Sequence, residues 1–226
     1  QKAKLVTSFS MFYDLEDPIA FASQIESVLH DNGIWHFEQS YMPSMLRTNS
    51  YDTICHEHLE FYSLGSVINI LSKANLKIID VQMNSINGGS FAVTAAKKDS
   101  ALSENEPVID WLLSQEKSMG LSTPKPYRDF EERVFRHRDD LTRLIRSLNS
   151  DGKTILGYGA STKGNVLLQF CGLTKEDIPA IADVNEDKFG CYTPGTEIPI
   201  ISESEARSMN PDYFLVLPWH FRDFIV

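Results

Sequence analysis

The run Gly157-Tyr158-Gly159-Ala160-Ser161-Thr162-Lys163-Gly164 lies between the apolar, β-prone residues 154–156 and a helical pattern over residues 165–171. Glycines at this density admit a tight reversal of the backbone. The run therefore commits this part of the chain to a strand, a turn and a helix, the unit from which parallel α/β sheets are built. The same alternation is written into the first third. Residues 4–11 are apolar and β-rich, and Asp17-Pro18 opens a helix with proline near its first turn. That helix carries Ile19, Phe21, Ile25, Val28 and Leu29 on one face and is expected to stop at Asn32-Gly33. Residues 34–39 read as the next strand.

After an irregular stretch with Pro43, an amphipathic helix is expected over residues 64–75 and two strands over 77–83 and 90–95. Asn87-Gly88-Gly89 between them is a turn signal, so this pair should be antiparallel. Parallel strands with crossover helices, closed by an antiparallel pair, describe one edge of a doubly wound α/β sheet. Residues 99–126 are more polar and hold Pro107, Pro124 and Pro126, with a short helix over 108–117. A charged helix follows over 128–148, with Phe135, Leu141, Leu144, Ile145 and Leu148 at helical spacing. Beyond the glycine-rich turn, strands are expected at 178–183 and 213–217. The division is an α/β domain over 1–98, a helical connector over 99–150 and a smaller Rossmann-like domain over 151–226.

A formal net charge of −10 argues against a nucleic-acid or anionic-membrane surface, because counterion release needs a basic face. No apolar run approaches the roughly 18 residues of a membrane helix, and residues 1–6 do not read as a secretory leader. Cys55, Cys171 and Cys191 are widely spaced and odd in number, which fits a reduced, cytoplasmic protein rather than a disulfide framework or a four-cysteine zinc site.

Two segments can carry chemistry. Tyr51-Asp52-Thr53-Ile54-Cys55-His56-Glu57-His58 continues through Leu59-Glu60-Phe61-Tyr62. An imidazole can exchange protons at neutral pH and a carboxylate can fix its tautomer. Proton transfer, histidines that cap or bridge elements, and a metal site through Cys55, His56 and His58 all remain open there. In the glycine-rich run, the amides at the helix start favour an anion, and Ser161, Thr162 and Lys163 add hydroxyls and a charge. Asp183, 24 residues beyond Gly159, stands near where a dinucleotide fold places its ribose-binding acid. A phosphate or pyrophosphate site, a turn without ligand and an NAD(P) site are the three readings. Phe12 and Tyr13, at the end of the first strand, are core residues or a ligand cover. Glu38 and Gln39 end the strand from Ile34, and His36 within it reads as packed.

These stretches, with Glu38-Gln39-Ser40-Tyr41-Met42-Pro43, Asn87-Gly88-Gly89-Ser90, Pro194-Gly195-Thr196 and Leu217-Pro218-Trp219-His220-Phe221, resemble the nucleotide-sugar C-methyltransferases. The resemblance follows family order over nearly the whole chain. It implies S-adenosylmethionine as methyl donor, a nucleoside-diphosphate 4-keto deoxysugar as substrate (thymidine diphosphate and C3 being the expected base and carbon), and a monomer. It implies that residues 1–98 are the second half of a class I methyltransferase sheet. The zinc-binding amino-terminal part and the donor-binding loop would lie in segments this chain lacks, so zinc is expected only there and the chain alone should bind donor poorly. The chain is also expected to stop inside a helix at Phe224-Ile225-Val226.

By the same mapping His58 removes the proton beside the ketone, with Glu57 orienting it or shuttling protons and His56 nearby. Cys55 stands where some relatives carry a tyrosine, so Tyr51 or Tyr13 would donate to the enolate oxygen. Gly159, Ala160, Ser161, Thr162, Lys163, Gly164 and Asn165 would meet the pyrophosphate, with Tyr13 at the substrate and Phe12 and Glu38 beside the donor. An NAD-dependent nucleotide-sugar oxidoreductase and a non-catalytic nucleotide-sugar-binding module are the alternatives.

Overall fold

The computed structural model describes residues 2–221, so the helix expected at Phe224-Ile225-Val226 lies outside the described residues. The protein forms two compact units, Gln1–Ser50 with His56–Phe130, and Tyr51–Cys55 with Glu131–Val226.

In the first unit, β1 (Ala3–Phe9) leads through α1 (Pro18–Val28) to β2 (Leu29–Ser40), which pairs parallel to it. Then come α2 (Met42–Thr48), α3 (Leu64–Lys73), and the antiparallel pair β3 (Leu76–Asn84) and β4 (Ser90–Lys97). The sheet order is β1-β2-β4-β3, with β4 antiparallel to both neighbours. The mixed α/β architecture and the antiparallel closure are those expected. Asn87, Gly88 and Gly89 all take positive φ in the turn. Trp35 and Phe37, on one face of β2, are fully buried with Phe12, Leu64 and Phe91. Each such aromatic contributes about 1.5–3 kcal/mol by leaving water.

α1 is shorter than its sequence suggested. Leu29 turns extended and fully buried against the core, so the strand begins there rather than at Ile34. The register shift opposite Ala3 and Leu5 absorbs the extra residues, and Gly33 leaves room for the Ala3 carbonyl, which an added Cβ would meet at 2.7 Å. The stretch around Pro43 is helical, because proline in a first turn forfeits no hydrogen bond. The same applies to Pro107 in α4 (Glu106–Met119) and Pro126 in α5 (Lys125–Ser150), both longer than expected. Along α5 the buried positions are Phe130, Val134 and Ile145, whereas Phe135 and Leu144 are exposed.

The second unit carries β5 (Ile155–Tyr158), α6 (Thr162–Cys171), β6 (Ile181–Asp183), β7 (Ile200–Ser202), α7 (Glu203–Ser208) and β8 (Tyr213–Val216). All four strands are parallel, in the order β7-β6-β5-β8. β7 and α7 were not read from the sequence, although Ser202 caps the Glu205 amide in a recognisable start signal. Leu156, Leu168, Leu173, Ile178 and Ile181 are fully buried here.

Candidate active site

In the first unit, β1 ends in a single 3-10 turn over Phe12–Asp14. The Tyr13 carbonyl accepts from the amides of both Leu59 (3.0 Å) and Glu60 (3.1 Å). That pair of bonds docks the residues after His58 on the end of β1. The half-buried His58 ring packs on the Tyr13 ring, with centroids 4.4 Å apart and planes at 57°. Burial raises the Asp14 pKa and the Glu57 charge adds to the rise, while His58 pulls it down. A carboxyl group and an imidazole therefore share one electrostatic environment at the carboxyl end of a strand, the edge where α/β sheets bind ligands. His56 and Glu57 are exposed. Asp14 had no assigned role in the sequence reading; only its place beside Tyr13 marked it.

Phe12 is 1% exposed, with its ring 5.3–5.4 Å from those of Trp35, Phe37 and Tyr62. Glu38 accepts from the Asn84 side-chain amide at 2.8 Å.

Tyr51 and Asp52 belong to the second unit. The Tyr51 hydroxyl is hydrogen-bonded to His137 Nδ1 (3.0 Å) and lies 3.8 Å from Cys171 Sγ, and its ring packs on Phe170. Burial, then the neighbouring Cys171, pushes that hydroxyl above the usual tyrosine range. Asp52 is 5% exposed and accepts from Trp219 Nε1 at 2.9 Å. Lys163 faces the same group: burial lowers its pKa, and Asp52 and Cys55 oppose the fall.

The glycine-rich run forms the expected strand-to-helix turn after β5. Ser161 caps α6 by accepting from the Gly164 amide at 3.1 Å, and its own carbonyl accepts from Asn165. Three glycines answer to close packing. An added Cβ would lie 2.7 Å from Ile181 at Gly157, 2.6 Å from Pro218 at Gly159 and 2.9 Å from Leu217 at Gly164. Thr162 is exposed on the first turn, and Asn165 Oδ1 is buried without a hydrogen-bond partner.

Asp183 is occupied. Its Oδ2 accepts from the Ala160 amide (2.8 Å) and Lys188 Nζ (3.1 Å), and its Oδ1 from the Asn185 amide (2.8 Å). It ties the turn to the end of β6, which takes from the dinucleotide reading the acid it required.

Among the described residues no group of three or more His, Cys, Asp or Glu side chains is placed to hold a metal ion. All three cysteines are free. No described helix is long and apolar enough to cross a membrane.

Residues 1–81 match a methyltransferase-domain family, and residues 85–226 match the family described as the C-methyltransferase C-terminal domain. The C-methyltransferase NovU of Streptomyces niveus is 35% identical over 224 residues, covering 99% of this chain and 53% of that protein. The chain thus spans about half the length of this relative. Among solved structures, magnesium protoporphyrin IX methyltransferase (ChlM) from Synechocystis PCC 6803 overlaps 42% of this chain and 45% of its own, at 13% identity and a TM-score of 0.34. LepI in complex with SAM overlaps 43% of this chain and 27% of its own, at 12% identity and a TM-score of 0.37. The chain belongs to the C-methyltransferase family, with that family's C-terminal domain over residues 85–226.

Proposed function

We propose that this protein serves S-adenosylmethionine-dependent methylation of carbon on a nucleoside-diphosphate 4-keto deoxysugar. In this reading His58 removes the proton from the carbon beside the ketone, and residues 157–165 hold the diphosphate. The observation that carries the proposal is the tilted ring contact of His58 with Tyr13, beside the two bonds from Leu59 and Glu60 to the Tyr13 carbonyl. A ketone makes the adjacent C–H acidic, and an imidazole is a side chain suited to taking that proton. The electron pair left behind moves onto the carbonyl oxygen, which then needs a donor where its charge develops. Tyr13, whose ring lies against that of His58, is the candidate donor.

S-adenosylmethionine, when bound, supplies the methyl group. Support for the nucleotide comes from the second unit, where Lys163 and the capped start of α6 offer a cation and helix amides to an anion. The engaged Asp183 counts against hydride transfer with NAD. Methyl-labelled S-adenosylmethionine, a thymidine-diphosphate 4-keto-6-deoxyhexose and the protein, analysed by carbon NMR, test the reading. A label on the carbon beside the former ketone supports it. A label on oxygen, or nucleotide bound without any turnover, contradicts it and favours the binding-module alternative.

A further inference from the structure

The second unit winds from β5 to β6 and β7 on one side and returns to β8 on the other. The direction reverses between β5 and β8, and open parallel sheets bind ligands in the crevice outside the carboxyl ends at such a point. The segments after these two strands are locked together. Gly159 leaves its side-chain space to Pro218, Gly164 leaves its own to Leu217, and the Leu217 amide donates to the Tyr158 carbonyl at 3.0 Å.

Trp219, which follows Pro218, is held by its indole. Its indole N–H is spent on the buried Asp52, yet 38% of the residue stays exposed. A tryptophan N–H usually finds a hydrogen-bond partner when buried; here that partner is Asp52, and part of the residue's surface stays exposed. With the N–H committed, that surface can offer stacking and no hydrogen bond. A planar unsaturated ring is what such a surface selects.

We propose that Trp219 is the platform on which the nucleobase of the nucleotide sugar stacks. This rests on the nucleotide-sugar reading above, since the base is the one planar aromatic part of that ligand. Asp52 acts through Trp219 as a positioning residue, fixing the plane of the indole. Recognition by stacking alone is indifferent to substituents on the base, so thymine and uracil nucleotides should use the platform equally.

Isothermal titration of the full chain with thymidine diphosphate, uridine diphosphate, inorganic pyrophosphate and ribose 5-phosphate tests this in wild type, Trp219→Phe and Trp219→Leu. Trp219→Leu should weaken both nucleoside diphosphates about tenfold or more, with Trp219→Phe between it and wild type. Pyrophosphate and ribose 5-phosphate should bind all three proteins alike, which also shows that the variants fold. Unchanged nucleotide affinity in Trp219→Leu overturns the platform. An equal loss for pyrophosphate or ribose 5-phosphate also overturns it, assigning Trp219 to the fold or to the sugar ring. Wild-type protein that binds neither nucleotide nor pyrophosphate overturns the nucleotide-sugar reading itself, and the platform with it.

Discussion

Lys163 must carry its charge where burial disfavours it. Desolvation lowers its pKa, and the carboxylate of Asp52 with the thiol of Cys55 restores part of the loss. His220 feels the same cluster from the other side: burial and then Lys163 lower its pKa, and Asp52 raises it. The charge is lost as pH rises through a value below the ordinary lysine range near 10.4. A diphosphate held by Lys163 should therefore bind more weakly over that interval. Titrations with thymidine diphosphate from neutral to alkaline pH should show that decline in wild type. Lys163→Met should bind roughly tenfold to a hundredfold more weakly at neutral pH, the scale of a charged hydrogen bond, and should lack the decline. Wild-type affinity in Lys163→Met would remove the residue from the site.

Among the elements, α3 shows how the His58 segment is held at its far end. Glu116 of α4 is only 7% exposed. It accepts from the Tyr41 hydroxyl at 2.8 Å and from the amides of Leu64 and Gly65 at the start of α3. Glu116→Ala would leave two buried donors and a half-buried one without an acceptor, and should cost roughly 2–5 kcal/mol of stability in denaturant unfolding. Glu116→Gln keeps an acceptor and should cost less; equal stability of all three proteins would contradict the account. The elements themselves were largely legible, because period and turn chemistry speak locally. Asp17-Pro18 and Asn87-Gly88-Gly89 placed a helix start and a hairpin turn from a few residues. The misplaced boundaries were decided by tertiary packing: Leu29 leaves its helix to fill the core, and the prolines read as breaks sit in first turns. The cap that Glu116 places on α3, 51 or 52 residues away in sequence, leaves no local signature.

Across the whole chain, each unit has a buried core of its own, and residues 51–62 are divided between the two units. In sequence that stretch reads as one motif. In the structure Tyr51 and Asp52 serve the packing and electrostatics of the second unit, while His58 stands on Tyr13 in the first. Composition could nominate those residue types; it could not divide them between the two units, whose boundary falls between Cys55 and His56. The glycine-rich run was legible as a turn, but the reason for its glycines lies in Ile181 of β6 and in Leu217 and Pro218 just after β8. The central claim, that His58 takes a proton from the carbon beside a ketone, needs no methyl donor to be tested. The protein and a thymidine-diphosphate 4-keto-6-deoxyhexose in heavy water, followed by NMR, should show deuterium entering at that carbon. His58→Gln should slow its entry by about a hundredfold or more, whereas exchange at the wild-type rate in His58→Gln would contradict the account.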